Sequence, residues 1–320
     1  MDNSLSNSCK IIIVGGFALA SMCIGCGAPV QKAATPPGQD QGLPSTSQVT
    51  LSLSPSSATL MTGQSVSFSS PFVGAVTWTV NGVVGGDTTR GLIDGRGTYT
   101  APLIPPTAPV IISGRLGNFS GTASPTASST ITVANPVPQV AQLSPAAISA
   151  VSSSVVVITG SGFTPQSSVA VNGQSVNTTY VDASHLRVSV PAATSASSSI
   201  LSLSVSNPAP GGGSSGPQSL FAAATGTPQA TTHPLVARLS SVIPAGASMF
   251  AEFGPDTNYG FRTSAKAASS VGPVDLLVAG MRASKSYHMR LHFVMPDSTE
   301  AVGEDEVFTT GDVPAARVPP

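Results

Sequence analysis

The sequence predicts an all-β chain of three small tandem sandwiches, and three observations carry that expectation. Short runs alternate apolar and polar residues at a period of two, as in Val76-Thr77-Trp78-Thr79-Val80, Leu186-Arg187-Val188-Ser189-Val190 and Leu201-Ser202-Leu203-Ser204-Val205. That is the pattern of strands with one face buried. Gly, Pro and Asn interrupt these runs at intervals of roughly eight to twelve residues, the spacing of turns in a sandwich. No stretch beyond the N-terminal apolar run sustains a helical period.

The first element in chain order is that apolar run, Ile11 to Ile24, preceded by Lys10 and stopping at Gly25-Cys26. Its length of about fourteen residues falls short of the roughly 20 needed to cross a bilayer and suits the apolar region of an export signal. The tetrapeptide Cys23-Ile24-Gly25-Cys26 resembles the lipobox of bacterial lipoproteins, with Cys23 where that motif usually has Leu. The resemblance implies a signal peptide over residues 1–25, lipidation of Cys26, and a membrane contact through that lipid at the cell envelope, periplasmic or on the cell surface. Several acyl chains hold stably where one is marginal. All three cysteines (Cys9, Cys23, Cys26) lie in or beside the signal, so the body of the chain has no thiol for a disulfide or a metal site.

Only 8% of the residues are charged and the net charge is −1. Nucleic acid is thereby excluded as an expected partner, because binding it requires a basic face. Residues 26–47, with Pro36-Pro37-Gly38 and Leu43-Pro44-Ser45, read as a linker. Three modules follow, over 48–134, 138–223 and 232–313, with a tail at 314–320. Asn135-Pro136-Val137-Pro138 reads as a short, stiff joint, and residues 222–232 as a looser one.

In the first module, Thr62-Gly63-Gln64-Ser65-Val66-Ser67-Phe68, Val76-Thr77-Trp78-Thr79-Val80-Asn81-Gly82 and Gly97-Thr98-Tyr99-Thr100-Ala101-Pro102 resemble a bacterial group 2 Ig-like domain. Trp78, the one tryptophan, sits mid-strand and is expected in the sandwich core rather than on a sugar-stacking surface. In the second, Val157-Ile158-Thr159-Gly160-Ser161-Gly162-Phe163 and Val169-Ala170-Val171-Asn172-Gly173 resemble an IPT/TIG domain. Phe163 is a core candidate there. Gly160 and Gly162 suit a bulge or positive φ, not a phosphate loop, since no helix N-terminus follows them. Asn172-Gly173 signals a type I′ hairpin.

In the third module, Met281 to Arg290 is similar to the tyrosine-corner region of fibronectin type III domains, with Tyr287 as the corner residue, its ring in the core and its hydroxyl on nearby backbone. Glu252 to Gly260 and Ser286 to Arg290 further resemble the N-terminal β-domain of aryl-sulfate sulfotransferase-like proteins. In that family a catalytic propeller follows this domain, whereas Pro320 comes a few residues after the module here. The resemblance therefore implies an accessory, anchoring front part without its propeller.

Three patterns invite chemistry, and none is expected to carry it. His288 and His292 have helical metal-ligand spacing, but on a strand they stand about 13 Å apart with Arg290 between them on the exposed face. Gly212-Gly213-Ser214-Ser215-Gly216 matches the nucleophile-elbow string without the strand and helix that motif needs. Glu300, Glu304, Asp305 and Glu306 read as a solvated hairpin, with weak calcium binding the lesser reading. The expectation is thus a chain with no catalytic residue, metal or cofactor: an exported lipoprotein whose modules form a stalk or binding array for an unidentified protein or glycan. The accessory part of a sulfotransferase-like enzyme is the alternative.

Overall fold

The computed structural model describes residues 50–71, 76–117, 124–192 and 199–312, and every regular element among them is a strand. The expected export signal over 1–25, Cys26, the expected linker over 26–47 and the tail at 314–320 lie outside the described residues. The described chain builds Ig-like β-sandwiches around three buried clusters.

In the first module, one sheet runs in the order Ser57–Met61, Thr126–Ala134, Val110–Leu116, Val76–Val80 and Val83–Val84. The facing sheet holds Ser65–Ser67, Thr98–Thr100, Gly91–Ile93 and Gly86–Asp87. The inward residues of both, among them Trp78, Tyr99, Ile112 and Ile131, close the core by the alternation read from the sequence. Residues 50–53 form no regular strand despite their alternating pattern. Leu51 and Leu53 are buried, and Ser54 makes an isolated bridge with Ser69.

The second module wraps one continuous set of strands around its core. Gln174–Asp182 makes this possible, because it pairs with Ser168–Val171 at its start and with His185–Val190 further on, so it passes from one layer to the other. Phe163 is buried in the cluster. Gly162 has φ +73, as a tight turn requires. Gly160 answers to space rather than φ: a Cβ there would stand 2.0 Å from the Gln139 carbonyl oxygen, opposite the irregular register at Val140 and Gln142.

Asn172 and Gly173 have φ 48 and 79 between the paired Val171 and Gln174, so the two-residue hairpin forms as expected. Asn172 also ties the turn to the neighbouring strand. Its amide donates to the Ser202 carbonyl at 2.7 Å, and its Oδ1 accepts from the Ser202 amide at 2.8 Å. Asn81 does the same to Ile111 in the first module, at 2.8 and 2.7 Å. Asn172→Ala removes both the acceptor and the tolerance for a left-handed backbone, and is expected to cost about 1–3 kcal/mol of stability in denaturant unfolding.

The third module sets a three-stranded sheet, Gln229–Ala230, Ala237–Ile243 and Gly272–Val278, against a six-stranded one. The latter is centred on Ser248–Gly254 and Ser286–Val294, with Phe261–Arg262, Lys266–Ala267, Glu300–Val302 and Glu306–Thr309 on its flanks. Tyr287 is buried at the start of its strand and its hydroxyl accepts from the Arg282 amide at 2.9 Å, the corner geometry.

The joints are built differently from one another. Asn135 is buried and clamps the first module to the 207–212 loop: its amide donates to the Pro210 carbonyl, its carbonyl accepts from Gly212, and its Nδ2 donates to the Pro208 carbonyl. Asn207 answers from the other side, donating to the carbonyls of Pro136 and Gly162.

The segment 222–232, expected to be loose, is buried over residues 222–225, while most of 226–232 stays exposed or partly exposed. In Gln218–Ala223 and its continuation, Leu220, Ala222 and Ala224 face the second core, while Phe221 and Ala223 face the third. Thr225 is buried and its hydroxyl accepts from the Leu291 amide while bonding the Glu304 carbonyl. Alanines and a threonine read as linker composition, yet small side chains are what let two sheets close on both faces of one strand.

Candidate functional site

Cys26 lies outside the described residues. Trp78, Phe163 and Tyr287 are all core residues, each less than 9% exposed. Trp78 packs beside Phe68, ring centroids 6.2 Å apart, and offers no platform to a ligand.

A large apolar cleft lies on the first module and reaches the second. It encloses about 790 Å³ and is walled mainly by Leu92, Pro102, Leu103, Ile104, Pro105 and Pro106, with Pro165 from the second module and threonines at the edge. Among the described residues that line it, none is charged or aromatic. Leu92, Leu103 and Ile104 are about half exposed, at 52%, 54% and 48%, which is costly for aliphatic side chains that have nothing to cover them. A second cleft, of about 380 Å³, shares Gly63, Leu103 and Pro165 with it and runs to Pro136 and Phe163, at the clamped joint. Nothing in the sequence marks Pro102 to Pro106, because proline and aliphatic residues between strands look like a loop. Only the return of the chain puts Leu92 and Pro165 beside them.

Tyr99 supports the floor of this region. It is fully buried and its hydroxyl donates to the Arg90 carbonyl at 2.7 Å, next to Gly91 and Leu92 of the cleft. Burial pushes its pKa up to about 12 from 10.0. In the unfolded chain the phenol ionises near its ordinary value, so the protonated fold loses stability as pH rises from about 10 towards 12. Trp78 fluorescence, which reports the first module, is expected to show alkaline unfolding that Tyr99→Phe moves to higher pH.

The outer face of the third module carries a polar network where the alternation predicts a solvated surface. One Glu252 carboxylate oxygen accepts from Arg290, through Nε at 3.1 Å and Nη2 at 2.9 Å, and contacts His292 Nε2 at 2.8 Å. Asp305 accepts from the Tyr259 hydroxyl at 3.0 Å and contacts His288 Nδ1 at 2.6 Å. The Arg290 guanidinium lies over the Tyr259 ring, 4.4 Å from its centroid, joining the two halves. His292 stacks on Phe250 at 4.8 Å. Burial tends to raise the Glu252 carboxyl, but Arg290 and His292 outweigh it and hold it below the usual carboxylate range.

His288, Arg290 and His292 are therefore half-buried and paired rather than free on an exposed face. Nor is the acidic hairpin merely solvated. Asp305 is committed to this network, and the Glu304 carboxylate accepts from the Gly226 amide at 3.5 Å, while burial and the neighbouring Glu304 and Asp305 raise Glu306. Among the described residues, no group of three or more His, Cys, Asp or Glu is gathered so as to hold a metal ion.

Asp182, Ser184 and His185 meet in a hairpin turn, an arrangement that no motif in the sequence announces. Ser184 Oγ is 2.7 Å from Asp182 Oδ1 and 2.9 Å from His185 Nδ1. The types are those of a hydrolase triad, but the order is wrong. Serine and aspartate both contact Nδ1, whereas a relay needs them on opposite ring nitrogens. The Ser184 hydroxyl and amide pull Asp182 down to about 2, as in a turn-capping carboxylate. Ser214, centre of the elbow-like string, is exposed and hydrogen-bonded to Ser206 at 2.6 Å.

Fold and surfaces together define a class, a tandem array of Ig-like sandwich modules. Within it, residues 138–221 match the IPT/TIG domain family, and such a domain is present. A comparison with curated proteins returns no match. Among solved structures, the TIG domain of human nuclear factor of activated T-cells, cytoplasmic 4, is 25% identical over 27% of this chain and 87% of its own, with a TM-score of 0.24. SGBP-B from the mixed-linkage glucan utilization locus of Bacteroides ovatus, solved with a mixed-linkage heptasaccharide, is 12% identical, and the match covers 80% of this chain and 65% of that one (TM-score 0.24). A tetra-tandem repeat from the extending region of a large adhesion protein is 13% identical over 82% and 73% of the two chains, with a TM-score of 0.31.

Proposed function

We propose that this chain is a non-enzymatic, exported lipoprotein, held at the cell envelope by a lipid on Cys26, whose modules form a fixed array for binding a partner. The observation that carries the binding role is the uncharged cleft of about 790 Å³ spanning the first two modules, with three half-exposed aliphatic side chains on its wall. A large apolar concavity is the default place for a ligand. Its lining suits an uncharged apolar stretch of a protein better than a sugar, which would stack on aromatic rings. The Asn135 and Asn207 bonds keep the two modules that frame it in register.

Metabolic labelling with a fatty-acid analogue tests the anchor. The wild-type chain is expected to take the label and Cys26→Ala to lose it completely, and a variant labelled as strongly as wild type would remove the lipoprotein assignment. Turnover of sulfate esters by the purified chain unaided would overturn the non-enzymatic part.

A further inference from the structure

Asparagine stands before glycine twice in the sequence, at Asn81-Gly82 in the first module and Asn172-Gly173 in the second. This dipeptide carries chemistry of its own. The backbone nitrogen of the glycine can attack the asparagine Cγ, and glycine hinders that attack least because it has no Cβ. A C–N bond forms, the Cγ–Nδ2 bond breaks, and ammonia leaves with the proton that the glycine amide gives up. Water then opens the resulting succinimide ring at either carbonyl, leaving aspartate or isoaspartate.

Both pairs are open to solvent. All four residues are exposed, and a Cβ on Gly82 or Gly173 would meet nothing within 4 Å. Access therefore does not limit the reaction, and backbone geometry does. Asn81 and Asn172 have φ 46 and 48, in the left-handed region. There ψ lies near about +47°, which sets the following peptide nitrogen almost opposite Cβ across the Cα–C bond. Ring closure needs nitrogen and Cβ on the same side of that bond, so ψ must first turn out of the hairpin. Two bonds oppose that turn in each module. The Asn81 amide donates to the Ile111 carbonyl while its Oδ1 accepts from the Ile111 amide, and Asn172 is held to Ser202 in the same way. Neither partner can withdraw alone, because Ile112 and Leu203, next along those strands, are fully buried in their cores.

We infer that Asn81-Gly82 and Asn172-Gly173 are self-modification sites that the folded hairpins hold inactive, each released by the opening of its own module. The isoaspartate product runs the chain through the side-chain carbon and lengthens a two-residue turn by one backbone atom. Val171 and Gln174, or Val80 and Val83, then cannot return to the pairing that the turn fixes. A module that stays open long enough to react is lost, so the modification is the irreversible end of its unfolding. One site in each of the two modules makes the two records independent.

The test is peptide mapping by mass spectrometry on the full chain, incubated at mildly alkaline pH. In native buffer both asparagines of the wild type are expected to deamidate far more slowly than in guanidinium chloride. Phe221→Ala, which weakens the second module and not the first, should raise the Asn172 rate in native buffer by at least about tenfold and leave Asn81 unchanged, since a reaction of the open form follows its population. Ile131→Ala, in the first core, should do the reverse. Where one variant fails to fold, its own site reacts as in denaturant and the other variant carries the comparison. Wild type that deamidates as fast in native buffer as in guanidinium chloride overturns the inference. So does a pair of rates that neither core variant changes, because the hairpins would then open without their modules.

Discussion

Truncating Phe221 to alanine is expected to destabilise the second and third modules together by about 3–5 kcal/mol and to leave the first unmoved. Phe221 is almost wholly buried on a strand that belongs to the second module by pairing with Ser199–Asn207, yet its ring packs edge-on against Phe293 of the third, centroids 5.0 Å apart. Removing it opens a cavity in the third core. Because neighbours on the same strand, Leu220 and Ala222, are walls of the second core, the strand cannot relax towards one module without leaving the other. The molecule supplies its own control. Trp78 is the one tryptophan and lies in the first core, so its fluorescence follows that module alone while far-UV circular dichroism follows all three. In Phe221→Ala the dichroism transition should fall to lower denaturant and the Trp78 transition should not. Movement of both by the same amount would show that all three modules unfold as one.

The second large effect is expected from Gly254→Ala. A Cβ on Gly254 would sit 1.6 Å from the Tyr259 carbonyl oxygen, and the obstacle is backbone, which cannot rotate aside as a side chain does. Tyr259 is itself held at φ 57, an uncommon conformation for an aromatic residue, between Arg290 above its ring and Asp305 at its hydroxyl. The added methyl should push the 255–260 turn off the sheet and take the tyrosine from the network. We expect a loss of about 3 kcal/mol or more, at or above the usual cost of overpacking, read as a lower thermal midpoint of the third module. Exchange of amides in the 255–260 turn should quicken with it. If the cost were below about 1 kcal/mol, within what a surface change can produce, the turn would not be the rigid element these contacts imply.

Alternation and turn chemistry made the fold class legible because both are local. A strand with one wet face must place apolar side chains at every second residue, and Asn172-Gly173 reverses the chain through its own backbone preferences. The core assignments of Trp78 and Phe163 followed from the same reasoning, and that of Tyr287 from the tyrosine corner. The polar network was half legible. The period correctly put His288, Arg290 and His292 on one face, but nothing in that strand announces that Glu252, thirty-eight residues before Arg290, would lie alongside and turn a solvated face into a paired one. The cleft was not legible at all, since its wall needs the Pro102 to Pro106 segment, Leu92 and a proline of the next module to meet.

The sequence by itself determined that this chain is all-β, where its turns fall, and which side chains share one face of a strand. Tertiary structure alone decided how the modules meet. The small, uncharged residues 222–224, which read as the start of a linker, become the inside of two cores, because a segment's burial depends on what stands on both of its sides. Side-chain periodicity describes only one chain's two faces. Whether each is covered is settled by partners far away in sequence, and here sheets of two modules close on opposite faces of a single strand.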